Sequence, residues 1–268
     1  RDMRTTSKYH PGVVRIFEES KDLRSVRFNL NDPDINEQII FIGHGPTGAR
    51  SYSSDLSHNL FSLWERGITG RGVVVAVVDD GIDVNHQELA PNLDLDLSYN
   101  FVNNIPSPHT TKEVHGTKCG GLISAKANNG KCGVGSAPDS VLVALKVLSA
   151  SIGEVSDSNE ARAFNHRMDR IQIMSMSWGP LDDGIGIGRP NELASRAFQI
   201  GITSGRSGKG IIYIFPSGNG RRNFDFCGFD GYLQKYSVFV IGSSSKHGNM
   251  PPYAERCTAI IASTLSNS

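Results

Sequence analysis

Five short apolar runs, separated by stretches with helical spacing, are the feature that most constrains the fold of this chain. The runs are rich in β-branched residues, as strands in the interior of a sheet are. The predicted strands are Val73–Val78, Val141–Leu148, Ile171–Ser177, Ile211–Phe215 and Val238–Ile241. The predicted helices between them are His115–Ala127, Ser156–Met168 and Asn191–Ser204. Ser156 or Asp157 is a candidate cap for the second of these helices, with Glu160 in its first turn.

This alternation predicts an α/β fold in which a mostly parallel sheet is covered by helices on both faces. Ligands of such folds bind at the carboxyl ends of the strands. Asp79, Ser177–Gly179 and Ser217–Asn219 each follow a predicted strand directly. We therefore expect these three segments to meet at one edge of the sheet.

The charge balance argues against two classes of partner. The chain has 27 Lys and Arg residues and 27 Asp and Glu residues, so its formal net charge is zero. No net field attracts the chain to nucleic acid or to an anionic membrane. No apolar run approaches the roughly 20 residues that a membrane-spanning helix needs. Neither a nucleic-acid partner nor a membrane segment is expected in this sequence.

Three polar motifs supply groups that acyl-transfer proteases use: a base, a carboxylate that orients it, and a donor for the oxyanion. Asp79 ends its strand in Asp-Asp-Gly, His115 opens His-Gly-Thr, and Asn219 lies in Ser-Gly-Asn-Gly. Each residue also has a structural alternative. A strand-end Asp accepts turn hydrogen bonds, a lone His is more often structural, and Asn-Gly marks many turns.

In combination and in this order, the motifs resemble the subtilisin-like serine proteases and, more narrowly, the furin/kexin proprotein convertases. The order acid, base, nucleophile is that of subtilisin, which is itself a worked example of this chemistry. The resemblance runs from about Asp32 to the end of the chain. The motifs that carry it are Asp79-Asp80-Gly81-Ile82, His115-Gly-Thr-Lys-Cys119, Ala127-Asn-Asn-Gly-Lys-Cys132-Gly-Val-Gly, Ser177-Trp-Gly-Pro-Leu-Asp-Asp-Gly184 and Cys227-Gly-Phe-Asp-Gly-Tyr232.

The resemblance implies a subtilisin-like three-layer fold that lacks its C-terminal part. It also implies a serine endopeptidase that cleaves precursor proteins after Arg or Lys, often at paired basic sites. In this reading Asp79 orients His115, His115 is the general base, and Asn219 stabilises the oxyanion.

The same comparison implies the residues that hold the substrate. Ser177, Trp178 and Gly179 would bind the substrate backbone as an added antiparallel strand. Asp182 and Asp230 would line the pocket for the residue before the cut, where buried carboxylates require a cation. Asp80 would face the next residue upstream, and Glu160 one further out. The alternative for Asp182 is a solvated acidic turn.

The resemblance is incomplete at the outer subsites. Lys112 stands where the convertases carry an acid that receives a second basic side chain, and Gly188 and Leu181 also replace acids. Selectivity for one basic residue is expected to survive these changes, whereas a requirement for a basic pair is open. Lys112 could equally be a solvated surface residue.

Two calcium sites follow from the resemblance, and oxygen ligands suit this cation. The first would use Asp182, Asp225 and Glu255. The second would use Asp32, Glu88, Asn129 and the carbonyls of Lys126, Lys131 and Gly133. Taken singly, each of these acids is as consistent with an ordinary surface carboxylate.

The cysteines and the N-terminal segment suggest a secretory protein. Cys227 and Cys257 match a family disulfide, which implies an oxidising compartment. The resemblance places the end of an inhibitory propeptide at residues 1–27, with Arg24-x-x-Arg27 as the self-cleavage site. Residues 28–268 would then be a partial peptidase domain. A charged linker is the alternative for the N-terminal segment.

The family's nucleophile motif, Gly-Thr-Ser-x-x-x-Pro, does not occur in this sequence. Two explanations are open. The sequence is a fragment of an active protease, or it belongs to a non-catalytic pseudoprotease that binds basic peptides. The retained base, oxyanion donor and acidic pocket favour the fragment, which by itself is expected to be nearly inert.

Overall fold

A computed structural model describes residues 30–38, 57–149, 155–245 and 247–266 of the chain. The predicted propeptide end, including Arg24 and Arg27, lies outside these residues. In the described part, no helix has both the length and the apolar character needed to cross a membrane.

A single parallel sheet organises the described residues. Its seven strands have the order β2-β3-β1-β4-β5-β6-β7, and all neighbouring strands pair in parallel. The strands are β1 (Val74–Asp79), β2 (Tyr99–Asn100), β3 (Val141–Lys146), β4 (Ile173–Met176), β5 (Ile212–Pro216), β6 (Val238–Ser244) and β7 (Ile260–Leu265). The strand order reverses around β1, which places Asp79 near the middle of the sheet's carboxyl edge.

Within the described ranges, four α-helices connect or flank the strands. They are α1 (Leu60–Trp64), α2 (His115–Ser124), α3 (Asp157–Phe164) and α4 (Glu192–Gly208). Short 3-10 turns form at Pro33–Asn36, Gly220–Asn223 and Cys227–Phe229. Ser156 caps α3, because its hydroxyl accepts a hydrogen bond from the Asn159 amide. Asp157, the other candidate cap, instead accepts bonds from the first amides of α4.

The central strand β1 is buried on both faces, which confirms the predicted three-layer arrangement. Every residue of β1 is buried. Val74, Ala76 and Val78 pack with α3 and α4 residues in one large core cluster. Val77 packs on the opposite face with residues that adjoin α2. One strand therefore faces two separate apolar layers, as its continuous apolar run predicted.

Two strands were not predicted from the sequence. β2 has only two residues, too few for an apolar pattern. β7 lies at the edge of the sheet and is largely exposed, so it has no alternating apolar face. Phe239 of β6 and Ile261 of β7 also leave much of their side chains exposed.

The close approach of α4 to β5 depends on a glycine. A Cβ on Gly201 would lie 1.9 Å from the hydroxyl oxygen of Tyr213. The Tyr213 side chain is completely buried, and its hydroxyl donates to the Phe164 carbonyl at 3.1 Å. Any side chain at position 201 would displace this hydroxyl and break its hydrogen bond.

We expect Gly201→Ala to lower the free energy of unfolding by about 2–4 kcal/mol, because it combines overpacking with the loss of a buried hydrogen bond. Gly121→Ala is the matched control, since a Cβ there meets no atom within 4 Å. That control should gain about 0.5–1 kcal/mol from helix propensity. Thermal unfolding of the protein encoded by the complete reading frame measures both changes. Equal midpoints for the two variants would contradict this account of the packing.

Candidate active site

A buried carboxylate and a half-exposed imidazole meet where β1 ends and α2 begins. The Nδ1 atom of His115 lies 2.9 and 3.0 Å from the two carboxylate oxygens of Asp79. The Asp79 side chain is 0% exposed, whereas the His115 side chain is 56% exposed. Burial raises the pKa of Asp79, and the hydrogen bond from His115 opposes that rise. The imidazole is thereby held by one nitrogen while most of its ring faces solvent.

Asp80 fixes the start of α2 from outside the helix. The helix has no side-chain cap of its own at Val114. The two carboxylate oxygens of Asp80 accept bonds from the backbone amides of His115 and Gly116, at 3.1 and 2.7 Å. Gly116 must be glycine, because a Cβ there would lie 2.3 Å from the Gly81 carbonyl oxygen. The first turn of α2, which carries His115, therefore packs directly against the backbone just after β1.

A buried ion pair beside this centre was not predicted from the sequence. Lys146 lies opposite Asp79 in the register of β1 and β3, and its side chain is buried. Its ammonium group donates to the Asp80 carbonyl at 2.6 Å and to the Glu113 carboxylate. The only signal in the sequence was a lysine within the apolar run Val141–Leu148. The pair ties the segment before His115 to the end of β1.

Cys119 lies one helical turn after His115, and its sulfur is 4.0 Å from both ring nitrogens. Burial raises the pKa of the thiol, and a hydrogen bond to Ser177 opposes that rise. Ser177 directly follows β4. In the sheet, β4 and β3 lie on opposite sides of β1. Through Cys119, the imidazole of His115 is therefore next to the segment that follows β4.

That segment lines an acidic cavity. The predicted substrate residues Ser177, Trp178, Gly179, Asp182 and Asp230 all contribute to its wall, together with Asn219. Trp178 is fixed by a 2.7 Å hydrogen bond from its indole nitrogen to the Val78 carbonyl. The structure thus brings together the residues that the sequence predicted for substrate binding, apart from Asp80 and Glu160.

Asp230 is one of two strongly perturbed carboxyl groups in the cavity wall, and Glu255 is the other. Loss of hydration raises the pKa of Asp230 to about 6, although the amides of Tyr232 and Leu233 donate to it and oppose the rise. The Tyr232 amide lies 2.7 Å from its Oδ1 atom. Repulsion from Asp182 and Asp225 adds to the shift. A carboxylate in this environment favours a cationic partner.

Glu160 lies outside the acidic cavity and is buried. Its side chain is 4% exposed, and both carboxylate oxygens lie within 2.9 Å of the Tyr232 hydroxyl, which donates to them. Desolvation raises its pKa to about 7. It does not line the acidic cavity. The carboxyl group is enclosed and bonded to Tyr232, and its contact with a substrate residue further upstream stays a prediction.

Three acids of the cavity wall converge. Asp182, Asp225 and Glu255 each place a carboxylate oxygen within 4.8 Å of the others. Desolvation, together with repulsion from Asp182 and Asp225, raises the pKa of Glu255 to about 7. Gly218 and Gly220 leave room for this group, since a Cβ at either position would lie 3.0 Å or less from a Glu255 oxygen. Like charges at this spacing fit a bound divalent cation.

The three side chains predicted for the second metal site lie close together. Asp32 is buried and accepts bonds from the amides of Asn128 and Asn129. The Asn129 side chain donates to Glu88, whose other carboxylate oxygen is buried without a hydrogen-bond partner. An orphaned, buried carboxylate oxygen is the kind of atom that a hard cation satisfies. The residues whose carbonyls were predicted as ligands, Lys126, Lys131 and Gly133, lie in the segment around Asn129.

The disulfide implied by the resemblance is present. Cys227 and Cys257 are bonded, with their Cα atoms 5.5 Å apart. Cys227 begins the 3-10 turn that leads into Asp230, and Cys257 follows Glu255 by two residues. The disulfide therefore links the segment that carries Asp230 to the segment that carries Glu255.

Comparison with known proteins identifies several relatives with similar sequences. Furin-1 of Xenopus laevis is 42% identical over 209 residues, which cover 76% of this chain and 26% of the relative. Neuroendocrine convertase 2 of Homo sapiens is 37% identical over 252 residues, covering 92% and 39%. Proprotein convertase subtilisin/kexin type 7 of Homo sapiens is 40% identical over 261 residues, covering 95% and 32%. The chain therefore spans less than two fifths of the length of these relatives.

Solved structures with low sequence identity show the same fold. A serine protease of Aeromonas sobria matches with a TM-score of 0.73 at 22% identity, covering 94% of this chain and 46% of that one. A cold adapted subtilisin-like serine proteinase matches with a TM-score of 0.57 at 20% identity, covering 74% and 64%. The sequence profile of the subtilase family matches residues 70–266. The chain belongs to the subtilase family, and its relatives at about 40% identity are proprotein convertases.

Proposed function

We propose that the protein carrying this sequence is a serine endopeptidase that cleaves precursor proteins after Arg or Lys. The observation that supports this most strongly is the juxtaposition of the Asp79–His115 pair with a cavity walled by Asp182 and Asp230. Cleavage after a basic residue needs a general base and a cavity that accepts a cationic side chain, and this arrangement provides both. Family membership is consistent with the reaction type.

The proposed chemistry follows from the hydrogen bond at Nδ1 of His115. Asp79 fixes the tautomer in which Nδ1 carries the proton, so Nε2 is the basic nitrogen. Nε2 takes the proton of a serine hydroxyl as that oxygen attacks the peptide carbonyl carbon. The side-chain amide of Asn219 donates to the developing oxyanion. His115 then gives the proton to the leaving amine, and water hydrolyses the acyl-enzyme by the same route.

This proposal requires a serine nucleophile, and no Gly-Thr-Ser motif in the printed sequence supplies one. The complete reading frame decides between a peptidase and a protein that only binds basic peptides. Its product should be assayed on fluorogenic peptides ending in Arg-x-Lys-Arg or in a single Arg. Cleavage of either peptide supports the proposal. Binding of both peptides without cleavage would establish the non-catalytic alternative.

Substrate binding is proposed to use the segment after β4. Ser177, Trp178 and Gly179 would pair with the substrate backbone, and the basic side chain would enter the cavity between Asp182 and Asp230. Asp80 would face the preceding residue. Lys112 is exposed on the segment before His115 and would oppose a second basic side chain there. The proposed enzyme therefore accepts single basic sites.

Calcium is the cation proposed for the two acidic clusters. Asp182, Asp225 and Glu255 would form one site, and Asp32, Glu88 and Asn129 with carbonyls of the same loop the other. Bound calcium would supply structural charge neutralisation and no chemical step. The disulfide between Cys227 and Cys257 supports maturation in an oxidising secretory compartment.

Replacing Asp79 with Asn should lower kcat about 10⁴-fold with little change in KM, because the amide stabilises the wrong tautomer of His115. The measurement is steady-state cleavage of the best basic peptide by the protein from the complete reading frame. Asp96→Asn, an exposed acid before β2, is the control and should keep full activity. A loss below tenfold for Asp79→Asn would refute the assigned role.

Replacing Asp230 with Asn should lower kcat/KM for an Arg substrate about 100-fold or more, because it removes one partner of a desolvated charge pair. Cleavage of a matched peptide with Gln in place of Arg should change far less. Asp169→Asn serves as the control, since that acid lies on the surface away from the cavity. An equal loss on both peptides would show that Asp230 supports the fold and not selectivity.

Calcium should stabilise the folded protein. At a free calcium concentration 100 times the Kd, the expected gain is about 2.7 kcal/mol, since the cation binds only the folded state. Thermal unfolding with and without a chelator measures the effect, and magnesium serves as the competing cation. Glu255→Gln should weaken the calcium response, whereas the exposed Glu37→Gln should preserve it. Identical midpoints with chelator and with calcium would rule out the proposed sites.

A further inference from the structure

An apolar rim borders the acidic cavity. We give this name to Leu181, Ile185, Ile187, Phe224 and Phe226, all of which expose much of their side chains. Leu181, Ile185, Ile187 and Phe224 are 81%, 85%, 75% and 91% exposed. Leu181 and Phe226 themselves line the cavity that holds Asp182 and Asp230. Large apolar side chains grouped at the mouth of a polar pocket indicate a binding surface.

The two loops that carry the rim touch each other. Gly184 has a positive φ of 74°, and a Cβ there would lie 2.0 Å from the Asn223 carbonyl oxygen. The Gly184 amide donates to Asp225 at 3.1 Å. Phe226 packs its ring against Phe229, with the centroids 5.9 Å apart. Leu181 through Ile187 and Phe224 through Phe226 therefore form one continuous surface.

This surface is held in a defined shape. The Asp183 carboxylate accepts bonds from the amides of Ile185 and Gly186, at 2.9 and 2.7 Å. At the end of the loop, the Gly188 carbonyl accepts from the Gly231 amide at 2.7 Å. The backbone under the rim is thus fixed at three points, and binding there costs little additional ordering.

We propose that the apolar rim binds an aliphatic or aromatic side chain of the substrate, at the third to fifth residue before the cleaved bond. This inference rests on the proposed function and deepens it. The occupant follows from continuity with the cavity, because a peptide paired with Ser177–Gly179 continues upstream toward Leu181, which lines the cavity and belongs to the rim. The substrate class is therefore a peptide that combines Arg or Lys at the cut with an apolar residue upstream.

The positions follow from strand geometry. A substrate paired antiparallel with Ser177–Gly179 advances one residue upstream for each residue along this segment. Counting from a basic residue opposite Ser177, the third residue lies opposite Gly179 and the fifth opposite Leu181. An apolar side chain placed there covers exposed apolar surface of Leu181 or its neighbours, and its removal from water favours binding.

The test uses quenched peptides with Arg before the cut and Leu, Phe, Ser, Glu or Arg at each of the three upstream positions. The enzyme is the product of the complete reading frame. At one position or more, kcat/KM for Leu or Phe should exceed that for Ser about tenfold. The double variant Ile185→Ser/Ile187→Ser, whose two residues belong to the rim but do not line the cavity, should lose this preference and keep its selectivity for Arg at the cut.

Two further variants separate a rim effect from a general defect. Ile68→Ser/Leu95→Ser removes one exposed Ile and one exposed Leu that lie outside the cavity, and it should keep the apolar preference. Leu181→Glu should raise the preference for Arg over Leu upstream at least tenfold, and added salt should diminish that gain.

The inference would be overturned, with the proposed function intact, if the wild type and the rim variant both cleave after Arg and show the same ratio of kcat/KM for the Leu peptide to kcat/KM for the Ser peptide. Unchanged selectivity accompanied by a shift of the rim variant from dimer to monomer would also overturn it, because the rim would then be a self-association surface. Failure of the unmodified protein to cleave any basic peptide would overturn the proposed function and the inference together.

Discussion

The hydrogen bond between the Asp79 carboxylate and the His115 imidazole is the constraint on which the site depends. It requires a charged group at the fully buried end of β1, in the middle of a parallel sheet. That burial raises the pKa of Asp79, and the bonds from His115 and from the Asp80 amide oppose the rise. Without these partners an isolated carboxylate at this position would be costly. The fold therefore encloses the acid only together with the imidazole that it orients.

Several other features act on the same small region. Asp80 bonds to the start of α2, and Lys146 bonds to the Asp80 carbonyl and to Glu113. These contacts join the end of β1, the end of β3 and the segment before His115. Interlocked polar contacts of this kind are rigid when every member has a partner. Their common effect is to position the imidazole relative to the sheet.

The architecture was predictable because its strands carry a strong signal. Continuous apolar runs such as Val73–Val78 indicate strands buried on both faces, and the two core clusters on either side of β1 confirm this. The two-residue β2 and the exposed edge strand β7 gave no comparable signal. Apolar patterning reports burial, so it is silent where a strand is short or faces water.

The candidate site was predictable in part, for a different reason. Asp79, His115 and the segment from Ser177 to Gly179 lie in recognisable motifs, and the sheet brings them together at its carboxyl edge. The Lys146–Glu113 pair has no motif, because it depends on which side chains meet across strands. The resemblance predicts that Glu160 faces a substrate residue, but it does not indicate that its carboxylate bonds to the Tyr232 hydroxyl. A sequence pattern does not specify the contacts between segments that are far apart along the chain.

The indole of Trp178 has a mechanical consequence. Its hydrogen bond to the Val78 carbonyl crosses from the segment after β4 to the residue just before Asp79. The wall of the cavity and the anchor of the imidazole are thereby coupled through one rigid ring. A shift of the cavity wall would therefore act on the strand end that orients the imidazole.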